Sequence, residues 1–165
     1  MRWLKEPPTN PPADCTPDEA TAWPLLNRDE KLAMIWDHLE KGAQLFGDVL
    51  NVPHIPLVAV ENPIMHRYAK ERIRGYFPPS QSLHPWHHAT DEDGPDNERK
   101  RTCLWLRGLE KLTPTGTLDG TTARDSVHKA KPGKDRWKVR SKFFPGIANA
   151  MADQWGGEAL ALMAA

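Results

Sequence analysis

The chain has 165 residues, with 22 Lys and Arg against 22 Asp and Glu, so its formal net charge is zero. This balance argues against attachment to nucleic acid or membrane by bulk charge, although a local basic face is compatible with it. There is no run of about 18 apolar residues and no apolar segment near the start, so neither a membrane span nor a signal peptide is predicted. Two cysteines in unlike contexts do not indicate a disulfide framework, and a cytoplasmic protein is the default expectation.

The first part of the chain is predicted to be an arm followed by a long helix. Residues 1–27 contain six prolines and are predicted to be extended or looping rather than helical. Asn27 with Glu30 three residues later is a capping-box pattern. Apolar residues then recur at intervals of three and four as far as Phe46, which predicts a helix over 28–46.

An almost continuously apolar segment, 55–60, is predicted to be a β-strand with both faces covered, as in a parallel sheet. Glu61, Asn62 and Pro63 follow it directly. Ligands of open α/β sheets bind beyond the carboxyl ends of the strands, so this Glu-Asn pair is a candidate site. The alternative is a turn with a solvated glutamate.

The later segments complete a predicted α/β fold. In chain order they are a short helix over 64–73, a short strand over 82–86, a mobile acidic loop over 90–98, a strand over 101–106, and a helix over 145–155 that Gly156 and Gly157 stop. The expected organisation is a Pro-rich arm (1–27), a single α/β domain (28–157) with an added β-hairpin over about 81–107, and a C-terminal tail (158–165).

Three closely spaced histidines suggest a metal site. His84, His87 and His88 have a workable spacing, and Cys103 or His128 would complete a tetrahedral set. No paired ligand signature supports this site, so histidines in a polar turn are the alternative. A small metal-dependent enzyme is therefore one hypothesis for the function.

The two cysteines have no local signature of a nucleophile. Cys15 lies in the Pro-rich arm beside Asp14, and a neighbouring carboxylate disfavours the thiolate. Cys103 lies within an apolar strand and is predicted to be a small core residue.

The segment 129–142 is a candidate for contact with nucleic acid. It carries seven Lys and Arg residues, including Lys138 and Arg140, with Trp137 among them. Cations neutralise phosphates and a tryptophan stacks on bases, so the pattern favours a phosphate-and-base surface. The alternative is an ordinary solvated loop.

Five segments in the same order resemble phage and prophage proteins of the DNA cytosine-5 methyltransferase-like group. They are Val60-Glu61-Asn62-Pro63, Leu83-His84-Pro85-Trp86, the segment 100–109, Leu112-Thr113-Pro114-Thr115, and the segment 140–155. The resemblance implies a Rossmann-like domain that binds S-adenosylmethionine and transfers its methyl group to C5 of a flipped cytosine. A cysteine in a Pro-Cys motif attacks C6, and the glutamate of a Glu-Asn motif holds the N3 edge.

The resemblance assigns roles to individual residues of this chain. Glu61 and Asn62 match the Glu-Asn motif, and Arg99 and Arg101 match an arginine motif that steadies the substrate. The helix within 146–155 resembles the last motif, which packs against the cofactor side. These assignments make Glu61 the candidate base-holding carboxylate, because a hydrogen bond at N3 stabilises the charge that develops during nucleophilic addition.

Two parts of the family pattern are missing from this sequence. Neither the glycine-rich cofactor loop nor the Pro-Cys motif is present, and the context of Cys15 does not match the latter. The chain therefore resembles the back half of such an enzyme, encoded by a phage or prophage and acting in the bacterial cytoplasm. It is expected to depend on a companion chain for cofactor and nucleophile. The exposed edge of the strand over 55–60 is expected to be covered by the Pro-rich arm, a second copy of the chain or a companion chain. The alternative is a catalytically inactive DNA-binding or protein-binding module.

Overall fold

The computed structural model describes residues 2–131, 133 and 136–163, without the side chains of Arg2, Trp137, Val139 and residues 158–163. The helices are α1 (Pro17–Ala22), α2 (Arg28–Leu50), α3 (Arg67–Lys70), α4 (Arg136–Ser141) and α5 (Pro145–Met163), and the strands are β1 (Val58–Asn62), β2 (Gln81–Leu83) and β3 (Thr102–Arg107). Short 3-10 segments cover Arg2–Leu4, Trp23–Leu25 and Pro85–His88. The mixed α/β class is therefore confirmed. No helix in these ranges combines the length and apolar character that a membrane crossing requires.

The chain divides into two compact units. The first contains the described parts of Met1–Asn51 together with Met65–Tyr76, and the second contains those of Val52–Ile64 and Phe77–Ala165. The predicted arm thus belongs to the same unit as α2. The predicted tail continues α5 as far as Met163.

The first unit is organised around α2. Asn27 accepts hydrogen bonds from the backbone N–H groups of Asp29 and Glu30, and the Glu30 carboxylate accepts one from the Asn27 N–H at 2.7 Å. This capping box starts the helix at Arg28, as predicted. The helix ends four residues later than predicted, at Leu50.

The prediction of an arm without helix is wrong. Thr16 and Glu19 form a second capping box, and Pro17 occupies the first helical position of α1, where its missing N–H leaves no bond unmade. Trp23 is fully buried and donates its indole N–H to the Thr9 carbonyl at 3.2 Å. The arm is therefore packed structure.

The second unit contains a three-stranded sheet in the order β1-β3-β2, and both pairings are antiparallel. The predicted parallel environment of the Glu61 strand is wrong. In β1, an edge strand, Val58 is buried whereas Ala59 and Glu61 are exposed. The strand covered on both faces is β3, which is buried from Thr102 to Leu106 because it lies in the centre. The antiparallel pairing of β2 with β3 confirms the predicted hairpin partners.

The core of the second unit forms between the sheet and α5. Its buried members are Leu83, Leu104, Leu106, Leu112, Val127, Phe144, Ile147, Ala150 and Trp155. The helix starts at Pro145 as predicted but continues through Gly156 and Gly157. Each glycine costs about 1 kcal/mol relative to alanine, and the following Ala- and Leu-rich residues have helix propensities high enough to offset this.

Candidate functional site

An open cleft of about 620 Å³ lies in the second unit beside the end of β1. Its lining residues are Glu61, Pro63, Ile64, Lys100, Arg101, Val127, His128, Arg140 and Ser141. We call this the β1 cleft. Three of its side chains are cationic and one is a carboxylate, and its volume is within the range of small-ligand sites.

The antiparallel register explains why distant residues meet there. Glu61 lies opposite Leu104 and Asn62 lies opposite Cys103, so the chain leaving β1 runs beside the chain entering β3. Glu61 and Arg101 consequently line the same cleft although 40 positions separate them in the sequence. The predicted carboxylate and one predicted arginine are thus brought together.

The charged groups of the β1 cleft are open to a ligand. The side chains of Glu61, Arg101 and Arg140 are exposed. Arg101 donates from Nε to the Ser82 hydroxyl at 2.8 Å, which orients the guanidinium and leaves its terminal nitrogens without a hydrogen bond to any described residue. Within the described part of the chain, neither Glu61 nor Arg140 forms an ion pair or a side-chain hydrogen bond.

The charge of Arg101 acts on the neighbouring His84. Burial, followed by the charges of His87 and Arg101, lowers the pKa of the His84 imidazole. Lys100 is less available to a ligand, because its ammonium already donates a hydrogen bond to the Lys142 carbonyl at 3.1 Å. Arg101 and Arg140 are therefore the two cations best placed to bind an anion.

Several predicted site residues lie outside the cleft. The Arg99 guanidinium donates to the carbonyls of Gly120 at 2.8 Å and Thr121 at 3.4 Å, so it braces a loop. Asn62 is half-buried and does not line the cleft, and neither does the exposed Lys138. The side chain of Trp137 lies outside the described residues. Of the basic segment, Arg140 is the predicted residue that reaches the cleft.

The predicted histidine metal set does not form. His88 is buried and its Nδ1 lies 3.0 Å from the Thr115 hydroxyl, while the His84 and His87 rings stack edge to face with centroids 5.9 Å apart. Among the described residues, no three of the candidate ligands (His84, His87, His88, Cys103 and His128) lie close enough together to share an ion. The metal-dependent hypothesis based on these residues is therefore not supported by their geometry.

Neither cysteine lines the β1 cleft. Cys103 is 1% exposed on β3, as predicted for a core residue, and Cys15 belongs to the first unit. Both thiols are free. The cleft itself thus contains no nucleophilic sulfur among its described lining residues.

Sequence reasoning did not assign three polar members of the cleft, Lys100, His128 and Ser141, to this site. An antiparallel pairing of β1 with β3 would have placed Lys100 near Ile64, but the apolar run of 55–60 indicated parallel neighbours instead. His128 follows the buried Val127, and the sequence analysis considered it only as a metal ligand. No protein-family model, curated protein sequence or solved structure matches this chain.

Proposed function

We propose that this chain is a DNA cytosine-5 methyltransferase-like protein whose β1 cleft holds an unstacked cytosine and the adjacent phosphate. The observation that carries the proposal is the exposed Glu61 carboxylate in a cleft with Arg101 and Arg140. A carboxylate accepts a hydrogen bond from the cytosine N4 amino group, and arginine binds phosphate through paired N–H groups. The resemblance of Glu61-Asn62 to the base-holding motif supports the same role.

Base recognition in such a cleft requires a cytosine outside the duplex stack. Single-stranded DNA, or a duplex with a mismatched cytosine, meets this requirement at the lowest unstacking cost. With Glu61 hydrogen-bonded to the base edge, the cations would neutralise the phosphate on the same strand. In this arrangement Glu61 selects the base, and Arg101 and Arg140 provide most of the affinity.

Methyl transfer would require a companion chain. The cleft lacks a thiol among its described lining residues, and the family's cofactor loop is absent from the sequence. Within the described residues no strand pairs with the outer edge of β1. Antiparallel strands occur at the edges of otherwise parallel sheets, so a companion that adds strands there would complete a Rossmann-like sheet. A DNA-binding module without catalysis is the alternative form of the same proposal.

A titration of fluorescent single-stranded DNA tests the cleft. We expect the double variant R101A/R140A to bind about tenfold more weakly or worse, a loss equivalent to 1.4 kcal/mol. The matched control is K111A/K131A, which removes two exposed cations outside the cleft. Equal losses in the two double variants would contradict a role for the cleft.

Calorimetry with S-adenosylmethionine separates the two forms of the proposal. The companion-dependent form predicts no cofactor binding by the isolated chain, with binding restored when the companion is added. If S-adenosylmethionine does not bind under any condition, the DNA-binding module without catalysis is the remaining form of the proposal. Cofactor binding by the chain alone would contradict both.

A further inference from the structure

We propose that Cys15, Glu19 and His38 form a binding site for a divalent transition-metal ion of the zinc type in the first unit. One ligand atom from each residue, the thiol sulfur, a carboxylate oxygen and an imidazole nitrogen, can be chosen so that all three lie within 4.8 Å of one another. This set differs from the histidine set predicted from the sequence. It is independent of the β1 cleft.

The geometry is close to that of ligands on one ion. His38 Nε2 and Glu19 Oε1 are 3.0 Å apart. Zinc bonds to nitrogen and oxygen are about 2.0–2.2 Å long, which places two such ligands about 3.3 Å apart on a tetrahedral ion. An outward shift of a few tenths of an ångström would therefore let this pair share an ion, and the Cys15 sulfur would approach as the third ligand.

The Glu19 carboxylate is already oriented by the backbone. Its Oε2 accepts the Thr16 N–H at 2.7 Å within the α1 capping box, and Oε1 faces His38. A metal ligand that is held by an outer hydrogen bond loses less freedom on binding. Cys15 lies immediately before Thr16, and its backbone N–H donates to the Pro12 carbonyl at 3.2 Å, which holds the backbone that carries the sulfur.

The imidazole of His38 has an outer partner as well. Its Nδ1 lies 3.5 Å from a carboxylate oxygen of Asp14. Metal-bound histidines usually donate the other ring N–H to a carboxylate, which fixes the tautomer. With Nε2 on the metal, Asp14 would occupy this outer position.

The chemistry of the donor set selects the ion. A thiolate, an imidazole and a carboxylate together suit zinc, whereas calcium and magnesium prefer oxygen ligands. Three protein ligands leave one tetrahedral position for water. The bound ion would fasten the segment 15–19 to α2.

Without metal, Glu19 and His38 form a hydrogen-bonded pair. The hydrogen bond with His38 is the largest factor that lowers the pKa of Glu19 to about 2, and the same bond raises the pKa of His38. Burial and the carboxylates of Asp14 and Glu19 raise the pKa of Cys15. Metal binding must release the thiol proton and any proton on His38 Nε2, so affinity increases with pH.

Titration of the full chain with Co²⁺, followed by Zn²⁺ competition, tests the site. We expect one equivalent of Co²⁺ to produce a thiolate-to-metal charge-transfer band that zinc abolishes. The band should disappear in C15S although Cys103 remains, and in H38Q but not in the control H54Q. Circular dichroism of each variant verifies folding. If H38Q is unfolded, the result for C15S decides the test.

Asp14→Asn provides a graded test of the outer partner. We expect metal affinity to fall by about 10- to 100-fold while the charge-transfer band keeps its shape. A band that persists in C15S, or no saturable binding by the folded wild-type chain, would overturn the proposal.

Discussion

Two glutamates of the second unit, Glu98 and Glu61, have opposite surroundings. Glu98 is 4% exposed, and its two oxygens accept hydrogen bonds from Arg124 Nε at 3.2 Å and from the Ser126 N–H at 3.1 Å, with the Ser126 hydroxyl as a third donor. Glu61 is exposed in the β1 cleft, and its carboxylate accepts no hydrogen bond from any described residue. A carboxylate whose oxygens already accept internal hydrogen bonds stabilises the fold. A carboxylate whose oxygens accept none is available to a ligand.

The largest expected difference is in stability. Glu98→Gln replaces an acceptor with a donor opposite existing donors, and we expect it to lower the free energy of unfolding by about 2–3 kcal/mol. The matched change Glu61→Gln should alter it by less than about 0.5 kcal/mol, as for ordinary surface sites. Urea unfolding of both variants measures the difference, and similar values would remove the distinction between the two glutamates.

Gly120 lies in the loop whose carbonyl binds Arg99, the residue after Glu98. Gly120 has φ of 82°, and an added Cβ would lie 2.7 Å from Cε2 of the Trp86 ring. We expect Gly120→Ala to destabilise the protein by about 1–3 kcal/mol, because the backbone is left-handed and the ring is close. Gly133→Ala, where no atom of the described residues lies within 4 Å of the added Cβ, is the control and should be near neutral. Equal thermal unfolding of the two variants would refute this packing.

The β1 cleft should dominate the salt dependence of DNA binding. For single strands, the slope of log affinity against log salt falls by about 0.7 for each phosphate-binding cation that is removed. We expect R101A and R140A each to reduce the slope by about this amount, while K111A leaves it unchanged. Anisotropy titrations at several salt concentrations provide the slopes. An unaltered slope in R101A would place the phosphate contact elsewhere.

The smallest expected effect is a pH dependence of stability from His88. Burial lowers the pKa of this histidine, so the folded state favours the neutral imidazole. Its contribution to stability is complete above the ordinary histidine range and is lost as pH falls through about 6.5 toward the lowered value. Urea unfolding from about pH 7.5 to about pH 5.5 should show a steeper loss in the wild type than in H88Q. Parallel curves would contradict the assignment.

Sequence patterns within a few residues correctly predicted where two helices begin. The Asn27–Glu30 capping box placed the start of α2, and Pro145 placed the start of α5. The alternation of β1 was not recognised, because Val58 and Val60 with the neighbouring apolar residues resemble a strand covered on both faces. Strand direction depends on a partner strand whose paired residues lie 41 to 49 positions away, which no local pattern encodes.

Contacts between distant segments account for the other errors. The acidic loop over 90–98 was predicted to be mobile, but Asn97 is fully buried and donates to the Glu92 carbonyl at 2.8 Å, and Arg124 bonds to the loop carbonyls. The Cys15–His38 cluster was missed because α1 was not predicted and the two residues are 23 positions apart. The resemblance assigned Glu61 and Arg101 to separate motifs, and the antiparallel register explains why both line the same cleft.

Base discrimination tests the central claim about Glu61 most directly. The measurement is the ratio of affinities for two single-stranded oligonucleotides that differ by cytosine or thymine at one position, in wild type, E61Q and the control E110Q. The account predicts a cytosine preference of about tenfold, within the range of 1–3 kcal/mol for a specific base contact, that E110Q keeps and E61Q loses. An equal ratio in wild type and E61Q would contradict it.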